Sequence, residues 1–254
     1  TLDFLNSLAG FLITFLFFFT IIVLIFAPIF IFIFAPGFYF DPIKKDLSVE
    51  VLRIMFPYLA LISLVAFAGG IQNSHARFSL PAFTPVVFNL CLIIAALLIA
   101  PKYDMPIFVL AWGVLLAGFL QLLIQIFPLH TLNRLPRPKL NFKNSGLKKF
   151  FVLILPAIFA GGIIQINLLV DTIFASLLET GSPTWLYVSD RLIQFPMGIF
   201  AIAIGTVLLP TLSKIDLKKN KQYFIDSLQR AQIFVLAWGV LLAGFLQLLI
   251  QIFP

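Results

Sequence analysis

Long apolar stretches dominate this sequence and decide its fold class. A helix that crosses a hydrocarbon core of about 30 Å needs about 20 apolar residues. Lipid offers no partners to backbone N–H and C=O groups, so a spanning segment has to satisfy them within a helix. We therefore predict an all-α, polytopic transmembrane helical bundle with about seven membrane spans. The qualifying stretches cover residues 8–34, 51–71, 82–100, 107–127, 150–174, 185–212 and 233–253.

The composition excludes a soluble fold. Hydrophobic residues make up 61% of the 254 residues and charged residues only 11%, whereas soluble domains contain about 25% charged residues. A formal net charge of +7 would suggest a nucleic-acid partner in a soluble protein. In a membrane protein it indicates cationic cytoplasmic loops instead, and we expect no nucleic-acid partner. The single cysteine, Cys91, excludes an intrachain disulfide, and with two histidines it cannot build a structural zinc site.

Lysine and arginine are distributed unevenly between the predicted loops. The second, fourth and sixth loops together hold twelve, and the other three loops hold three. Cytoplasmic loops carry the excess of positive charge, so the even-numbered loops are predicted to be cytoplasmic. The fourth loop, residues 129–149, holds six cations and no acid. It is interpreted as a stop signal at a domain joint, or additionally as a contact for the anionic headgroups of membrane lipids.

One segment occurs twice, letter for letter. Residues 107–128 and 233–254 are identical over 22 positions, and nothing comparable surrounds either copy. Internal repeats of transporters are weak in sequence, so an ancient duplication does not explain a perfect one. We interpret the second copy as foreign to the native chain, introduced by a splice or an assembly error; a recent local duplication is the alternative. The chain also opens at Thr1 rather than at a methionine, so it is expected to be processed or a fragment.

Four charged residues fall at membrane depth, where charges usually mark a pathway: Arg53, Asp171, Asp190 and Arg191. Arg53 is expected to be an interfacial anchor whose long side chain reaches the headgroups. Asp171 lies deep in the fifth span, four residues after Asn167. Two alternatives remain for the other charges. Arg191 forms a structural ion pair with Asp171 or Asp190, or it binds phosphate oxygens while Asp171 is a cation or proton site.

Prolines and glycines within the spans predict broken or kinked helices, which line cavities in transporters but also serve simple packing. Gly113 and Ala117 form a small-xxx-small pair that suits close helix contact. Gln121 and Gln125 are expected to bond a neighbouring helix. The residues expected to break or kink helices are Pro57, Pro81, Pro85, Pro156, Gly161, Gly162 and Pro196.

No catalytic constellation is recognisable in the sequence. His75 and His130 lie far apart in predicted loops, and neither belongs to a nucleophile motif. A Walker A pattern, which would indicate an ATPase, is absent as well. The chain is therefore not expected to be an enzyme.

Several segments together resemble the MurJ/MviN family of lipid II flippases, in the multidrug/oligosaccharidyl-lipid/polysaccharide exporter superfamily. The resemblance covers roughly residues 1–230. Its most specific part is Gln165-Ile-Asn-Leu-Leu-Val-Asp-Thr-Ile-Phe-Ala-Ser176. The other matching segments are Arg53-Ile-Met-Phe-Pro-Tyr58, Ala68-Gly-Gly70 with Asn73, Pro81-Ala-Phe-Thr-Pro85, Leu110-Ala-Trp-Gly-Val-Leu-Leu116, Trp185-Leu-Tyr-Val-Ser-Asp-Arg-Leu192 and Gly205-Thr-Val-Leu-Leu-Pro-Thr-Leu-Ser213.

The resemblance implies a fourteen-helix MATE-like transporter with two lobes around a cationic cavity, of which this chain would hold the third to eighth helices. Such a protein moves an undecaprenyl-linked, anionic peptidoglycan precursor from the inner to the outer leaflet of the bacterial inner membrane by alternating access. No cofactor is expected; a monovalent cation or a proton is the candidate coupling ion. The domains would be residues 1–128 for the N-terminal lobe, 129–149 for a basic linker, 150–232 for the C-terminal lobe and 233–254 for the foreign copy.

The resemblance also assigns roles to individual residues. Arg191 would face the lipid-linked pyrophosphate, with Asp190 and Asn167 as further substrate-binding residues. Asp171 falls where the family is thought to bind a coupling cation. The alternatives are an exporter of lipid-linked polysaccharide and a membrane scaffold protein without transport activity, in which these residues would only satisfy one another.

Overall fold

The computed structural model describes residues 2–141 and 144–192, together with residues 194 and 229. Thr1–Leu177 forms one compact unit and Leu178–Pro254 a second. The predicted sixth span, residues 185–212, lies mainly outside the described residues, and the predicted seventh span lies entirely outside them.

Helices make up almost all of the described part of the first unit. Four helical stretches, two of them made of more than one element, are long and apolar enough to cross a membrane by length and composition: Leu2–Ile25, Pro42–Ser74, Ser79–Lys102 and Pro106–Thr131. These confirm the all-α fold and the first four predicted spans. The helices are α1 (Leu2–Ile25), α2 (Ala27–Phe34), α3 (Pro36–Tyr39), α4 (Pro42–Met55), α5 (Pro57–Ser74), α6 (Ser79–Ile94), α7 (Pro106–Thr131) and α8 (Ser145–Leu177).

Helix α8 corresponds to the fifth predicted span. It has 33 residues, and Pro156 lies inside it without ending it. Its apolar part, Gln165–Leu177, is too short to cross a bilayer completely as a helix. The described residues therefore hold four to five apolar helices that suit a membrane.

The first predicted span, expected as one stretch over residues 8–34, is divided into two helices. Helix α1 ends at Ile25, and α2 begins at Ala27 with Pro28 in its first turn. A proline has no N–H, so Pro28 cannot donate to the carbonyl of Leu24 four residues earlier. The Arg53 Nε donates to that carbonyl instead, at 3.1 Å. The partner that the structure gives Arg53 is thus the backbone at the break in the span, and its expected role as an interfacial anchor stays a prediction.

A cap and a proline divide the second span. Asp41 caps the N-terminus of α4, and its carboxylate accepts hydrogen bonds from the N–H groups of Ile43 (3.1 Å) and Lys44 (3.2 Å). Helix α4 ends at Met55, and Pro57 occupies the first turn of α5, where its missing N–H costs nothing. The predicted break at Pro57 is confirmed.

The third span is continuous through its prolines. Pro85 lies inside α6, so its expected effect is at most a kink. The helix then widens into one π turn over Ala95–Ile99 and tightens into a short 3₁₀ turn over Ala100–Lys102. Helix α6 and these turns together form the third candidate span, Ser79–Lys102.

Helix α7 lies at the centre of the first unit and packs against α4, α5 and α6. Small residues allow this approach. A Cβ built on Gly118 would lie 2.7 Å from Cδ2 of Tyr58, and one on Gly113 would lie 3.0 Å from Cβ of Ala95. Ala117 is completely buried. The predicted small-residue contact of Gly113 and Ala117 is confirmed, with Gly118 as a further member.

The basic linker runs along the first turns of α1. The Asn6 side chain accepts from the backbone N–H of Arg137 (2.7 Å), and the Asn6 carbonyl accepts from the N–H of Lys139 (3.0 Å). The Asn144 side chain donates to Ser7 Oγ at 3.3 Å. Asn6 and Ser7 are both buried. These bonds fix the linker, and with it the start of α8, to the N-terminal end of α1.

Candidate functional site

The predicted site residues of the first unit lie on one side of α8. Asn167 and Asp171 are four residues apart in this helix, so they share a face, and both are exposed. Gln165 and Thr172, seven residues apart, share a different face, since each residue advances the helix by about 100°. That second face borders a cavity of about 350 Å³, whose lining residues are Phe34, Gln165, Ile166, Leu168, Leu169 and Thr172.

The two faces of α8 therefore have different surroundings. The face of Gln165 and Thr172 meets α2 and α3, because Phe34 also lines the cavity and Ser176 accepts from the Gly37 N–H at 3.2 Å. The face of Asn167 and Asp171 is turned by about 130° from it. Helical spacing alone already predicts that Gln165 does not share the face of Asn167 and Asp171, and helix α8 confirms this separation.

The predicted site residues of the second unit lie in a helix over residues 182–192. A turn precedes it, in which Gly181 has φ +107°, a backbone conformation that glycine adopts readily. The Arg191 guanidinium carbon lies 5.0 Å from the centroid of the Tyr187 ring, one helical turn earlier, in a cation–π contact. Asp190 is half-buried, and Arg191 is exposed.

Asn167 and Asp171 thus belong to the first unit, and Asp190 and Arg191 to the second. Within the second unit, the contact found for Arg191 is the Tyr187 ring. Both hypotheses about these charges, the structural ion pair and the phosphate site with a neighbouring cation, stay predictions.

A buried cluster of amides, which the sequence indicated only in part, joins α5, α6 and α7. The Gln121 side chain donates to the Thr84 carbonyl (2.9 Å), and the Gln125 side chain donates to Thr84 Oγ1 (3.2 Å). Gln72 donates to the amide oxygen of Gln125. All four side chains are at least 95% buried. The expected bonds of Gln121 and Gln125 to a neighbouring helix are confirmed.

The partners Gln72 and Thr84 were not predicted. Their one sequence signal is a polar side chain within an apolar helix, and that signal does not name the partner. Interhelical amide bonds of this kind hold transmembrane helices together. We therefore assign the amide cluster to packing of the first unit.

Further cavities lie in the described part of the first unit, and two of them are larger than the cavity along α8. One, of about 880 Å³, is an apolar groove along α6 and α7 that includes Cys91, Ala95 and Trp112. The other, of about 520 Å³, is polar and lies where the linker crosses α1, lined by Asn6 and Arg137 among others. Among the residues that the structure describes, no group of three or more His, Cys, Asp or Glu side chains is placed to hold a metal ion.

Comparison with known proteins gives a consistent result. The chain matches the family described as "Lipid II flippase MurJ" over residues 1–233. It is 42% identical over 202 residues to a Haemophilus influenzae protein described as "Probable lipid II flippase MurJ", covering 79% of this chain and 39% of that protein. It is 41% identical over 172 residues to the Burkholderia cenocepacia "Lipid II flippase MurJ", covering 66% of this chain and 33% of that protein.

A solved structure has the same fold. It is a lipid II flippase MurJ in an inward closed conformation, and it superposes with a TM-score of 0.72 at 26% sequence identity. The match covers 91% of this chain and 48% of that one. The chain spans about two fifths of the length of the curated relatives it matches.

The helices and the shared fold define a multi-pass α-helical membrane protein of transporter type. Within that class, the chain belongs to the MurJ lipid II flippase family. It is accordingly a multi-pass protein of the bacterial inner membrane.

Proposed function

We propose that this chain is part of a flippase that moves lipid II, a lipid-linked peptidoglycan precursor, from the inner to the outer leaflet. The family match over residues 1–233 carries this proposal. The transport follows alternating access, in which two lobes rock around a central site. No covalent bond is made or broken, so the activity is transport rather than catalysis.

We propose Arg191 as the residue that binds the phosphate oxygens of the undecaprenyl-linked precursor. Its planar guanidinium matches phosphate geometry in a bidentate way. The contact with the Tyr187 ring supports this role, since it orients the guanidinium without consuming an N–H donor. Asp190 and Asn167 are the proposed further substrate-binding residues.

We propose Asp171 as the cation or proton site. A carboxylate in an apolar helix requires a partner, and Asn167, one turn earlier on the same face, offers an amide oxygen for the same cation. The exposure of both side chains in the first unit leaves this face available to such a cation. A monovalent cation or a proton is the proposed coupling ion.

The finer architecture is part of the proposal. It comprises seven spans, an N-terminal lobe over residues 1–128, the basic linker over 129–149 and the first helices of a C-terminal lobe over 150–232. Residues 233–254 are proposed to be a foreign copy of α7. The end of the family match at residue 233, the first residue of that copy, supports this division.

The test is a set of arginine variants of the full-length parent, reconstituted in liposomes with labelled lipid II. We expect Arg191→Ala to lower the flipping rate about 10- to 100-fold, because a hydrogen-bonded charge pair contributes about 1.5–3 kcal/mol. Arg191→Lys keeps the charge but loses bidentate binding, so an intermediate rate is expected. The matched control is Arg77→Ala, an exposed arginine in a predicted loop.

Two outcomes would contradict different parts of the proposal. Unchanged flipping by Arg191→Ala would remove the phosphate-binding role and leave the flippase function intact. A parent that moves lipid II no faster than empty liposomes would contradict the function itself.

A further inference from the structure

Helix α3 meets the C-terminal end of α8 backbone to backbone. The Gly37 N–H donates to Ser176 Oγ (3.2 Å), and Ser176 Oγ donates in turn to the Ile173 carbonyl (2.7 Å). A Cβ built on Gly37 would overlap the carbonyl oxygen of Ser176 and lie 2.8 Å from the Leu177 amide nitrogen. The approach therefore requires glycine. Ser176 and its neighbour Ala175 are each only 5% exposed.

This contact lies at the opposite end of α8 from the basic linker. Helix α8 begins at Ser145, within the last residues of the linker segment 129–149, which is bound to Asn6 through Arg137. At 1.5 Å per residue, Ser176 lies about 46 Å along the axis from Ser145, which exceeds a hydrocarbon core of about 30 Å. Near the linker, Phe11 and Phe151 hold α1 and α8 together edge to face, with ring centroids 5.0 Å apart. Because the linker is predicted to be cytoplasmic, the contact of Gly37 with Ser176 faces the outer side.

The segment that carries Gly37 is braced. Tyr39, in the same short helix, packs edge to face against Phe32 with centroids 5.1 Å apart, and Lys45 Nζ lies 4.4 Å from the Tyr39 ring centroid. These contacts make α3 move together with α2 and α4, so α3 does not readily separate from α8 by itself. Separation of Gly37 from Ser176 requires movement of α8 against this group of helices.

We propose that the contact of Gly37 with Ser176 is the outer latch between the two lobes. It holds the outer side closed in the conformation described here, and it separates when the site opens outwards. Helices α1–α3 belong to the first proposed lobe and α8 to the second, so a movement of the lobes breaks a contact of this kind. This inference rests on the proposed flippase function and assigns one of its conformational contacts to two residues.

The experiment measures access to the latch separately from transport. Ser176→Cys is introduced into the full-length parent after the native cysteines, Cys91 among them, have been replaced. The rate of its reaction with a membrane-impermeant maleimide added to the outer face is then measured with and without Gly37→Ala. We expect Gly37→Ala to raise this rate about tenfold, because its Cβ overlaps the Ser176 backbone and the closed state loses about 1.4 kcal/mol. Flipping of lipid II by the Gly37→Ala variant is expected to fall in parallel.

The matched control is Gly161→Ala in α8, where an added Cβ meets no atom within 4 Å; labelling should remain unchanged. Ala175→Cys is equally buried and repeats the measurement without replacing the serine. In the Ala175→Cys background, Ser176→Ala removes the hydrogen-bond acceptor of Gly37 without adding volume, so the labelling rate should rise less than with Gly37→Ala. This variant keeps the test available if the Gly37→Ala protein does not insert into the membrane. Equal labelling rates with and without Gly37→Ala would overturn the latch. A parent that does not move lipid II would contradict the proposed function, while the labelling rates would still report on the contact.

Discussion

Arg53 shows how a charged side chain can complete the backbone of a membrane helix. Pro28 leaves the carbonyl of Leu24 without its usual donor, and the Arg53 Nε supplies one at 3.1 Å. The bond joins the end of α1 to the last turn of α4. A charge at this position therefore has a structural reason that is independent of any substrate.

The role of Arg53 can be tested by a double-mutant cycle. Arg53→Ala should destabilise the protein by about 1 kcal/mol, the net value of one hydrogen bond. In a Pro28→Ala background residue 28 regains an N–H that can donate to Leu24, so the same change should cost clearly less. The measurement is the unfolding free energy in bicelles for all four proteins. Equal costs in both backgrounds would show that Arg53 does not replace the missing donor.

Asp41 gives a pH-dependent helix cap. The hydrogen bond from the Lys44 N–H is the main reason why the pKa of the Asp41 carboxyl lies below its usual value of 3.8; the side chain and charge of Lys44 lower it further, and the Ile43 N–H contributes least. The ionised Asp41 carboxylate therefore contributes fully to the stability of the folded protein above pH 3.8, and this contribution is lost as the pH falls through the lowered pKa. We expect acid to weaken the start of α4 in the parent but not in Asp41→Asn, whose side chain caps without titrating. Thermal unfolding midpoints from pH 6 to about pH 2 measure this, and identical acid dependence of the two proteins would argue against the cap.

At the scale of elements, the close packing of α7 against α5 requires a glycine at position 118. An added Cβ at Gly118 would lie 2.7 Å from Tyr58 Cδ2 and 3.0 Å from Leu61 Cδ1. Gly118→Ala should therefore cost about 1–3 kcal/mol through overpacking. Gly70→Ala in α5 meets no atom within 4 Å and should be neutral or stabilising, since alanine favours helix by about 1 kcal/mol. Unfolding free energies of the two variants provide the comparison; a neutral Gly118→Ala would show that α5 and α7 pack less closely than described.

The sequence predicted whole elements better than their internal breaks. Apolar length was sufficient to find the first four spans, because a bilayer crossing needs about 20 such residues. The π turn over Ala95–Ile99 has no counterpart in that signal, since it changes hydrogen bonding and leaves hydropathy unchanged. The break after Ile25 has a local cause, Pro28. The hydrogen bond from Arg53 to the Leu24 carbonyl at this break joins residues 29 positions apart. Partners at such separations follow from packing, which hydropathy does not encode.

For the candidate site as well, helical spacing predicts which residues of one helix lie together, but it does not predict contacts between distant segments. Helical spacing alone places Asn167 and Asp171 on one face of α8. The cation–π contact of Arg191 likewise joins residues four apart, as the helix spacing allows. Gly37 and Ser176 are 139 positions apart in the sequence, and no local sequence pattern predicts their contact.

At the scale of the whole molecule, the chain covers about two fifths of its relatives. A charged headgroup crosses a bilayer only along a continuous polar path, and such a path in a two-lobed transporter needs helices from both lobes. We therefore expect the purified 254-residue chain to leave lipid II exchange between leaflets unchanged in liposomes. The full-length parent under the same conditions is the positive control, and exchange catalysed by the chain alone would contradict this expectation.

The amide cluster also bears on the repeated segment. Residues 247 and 251 of the second copy are the same glutamines that α7 uses to bind Thr84 and Gln72. Two copies that both cross the membrane as helices, as the sequence predicts, would compete for one set of polar partners, and the copy without those partners would carry unpaired amides in lipid. The loop charges predict opposite directions across the membrane for the two copies. Direction of insertion, rather than sequence, would then decide which copy can recognise α5 and α6.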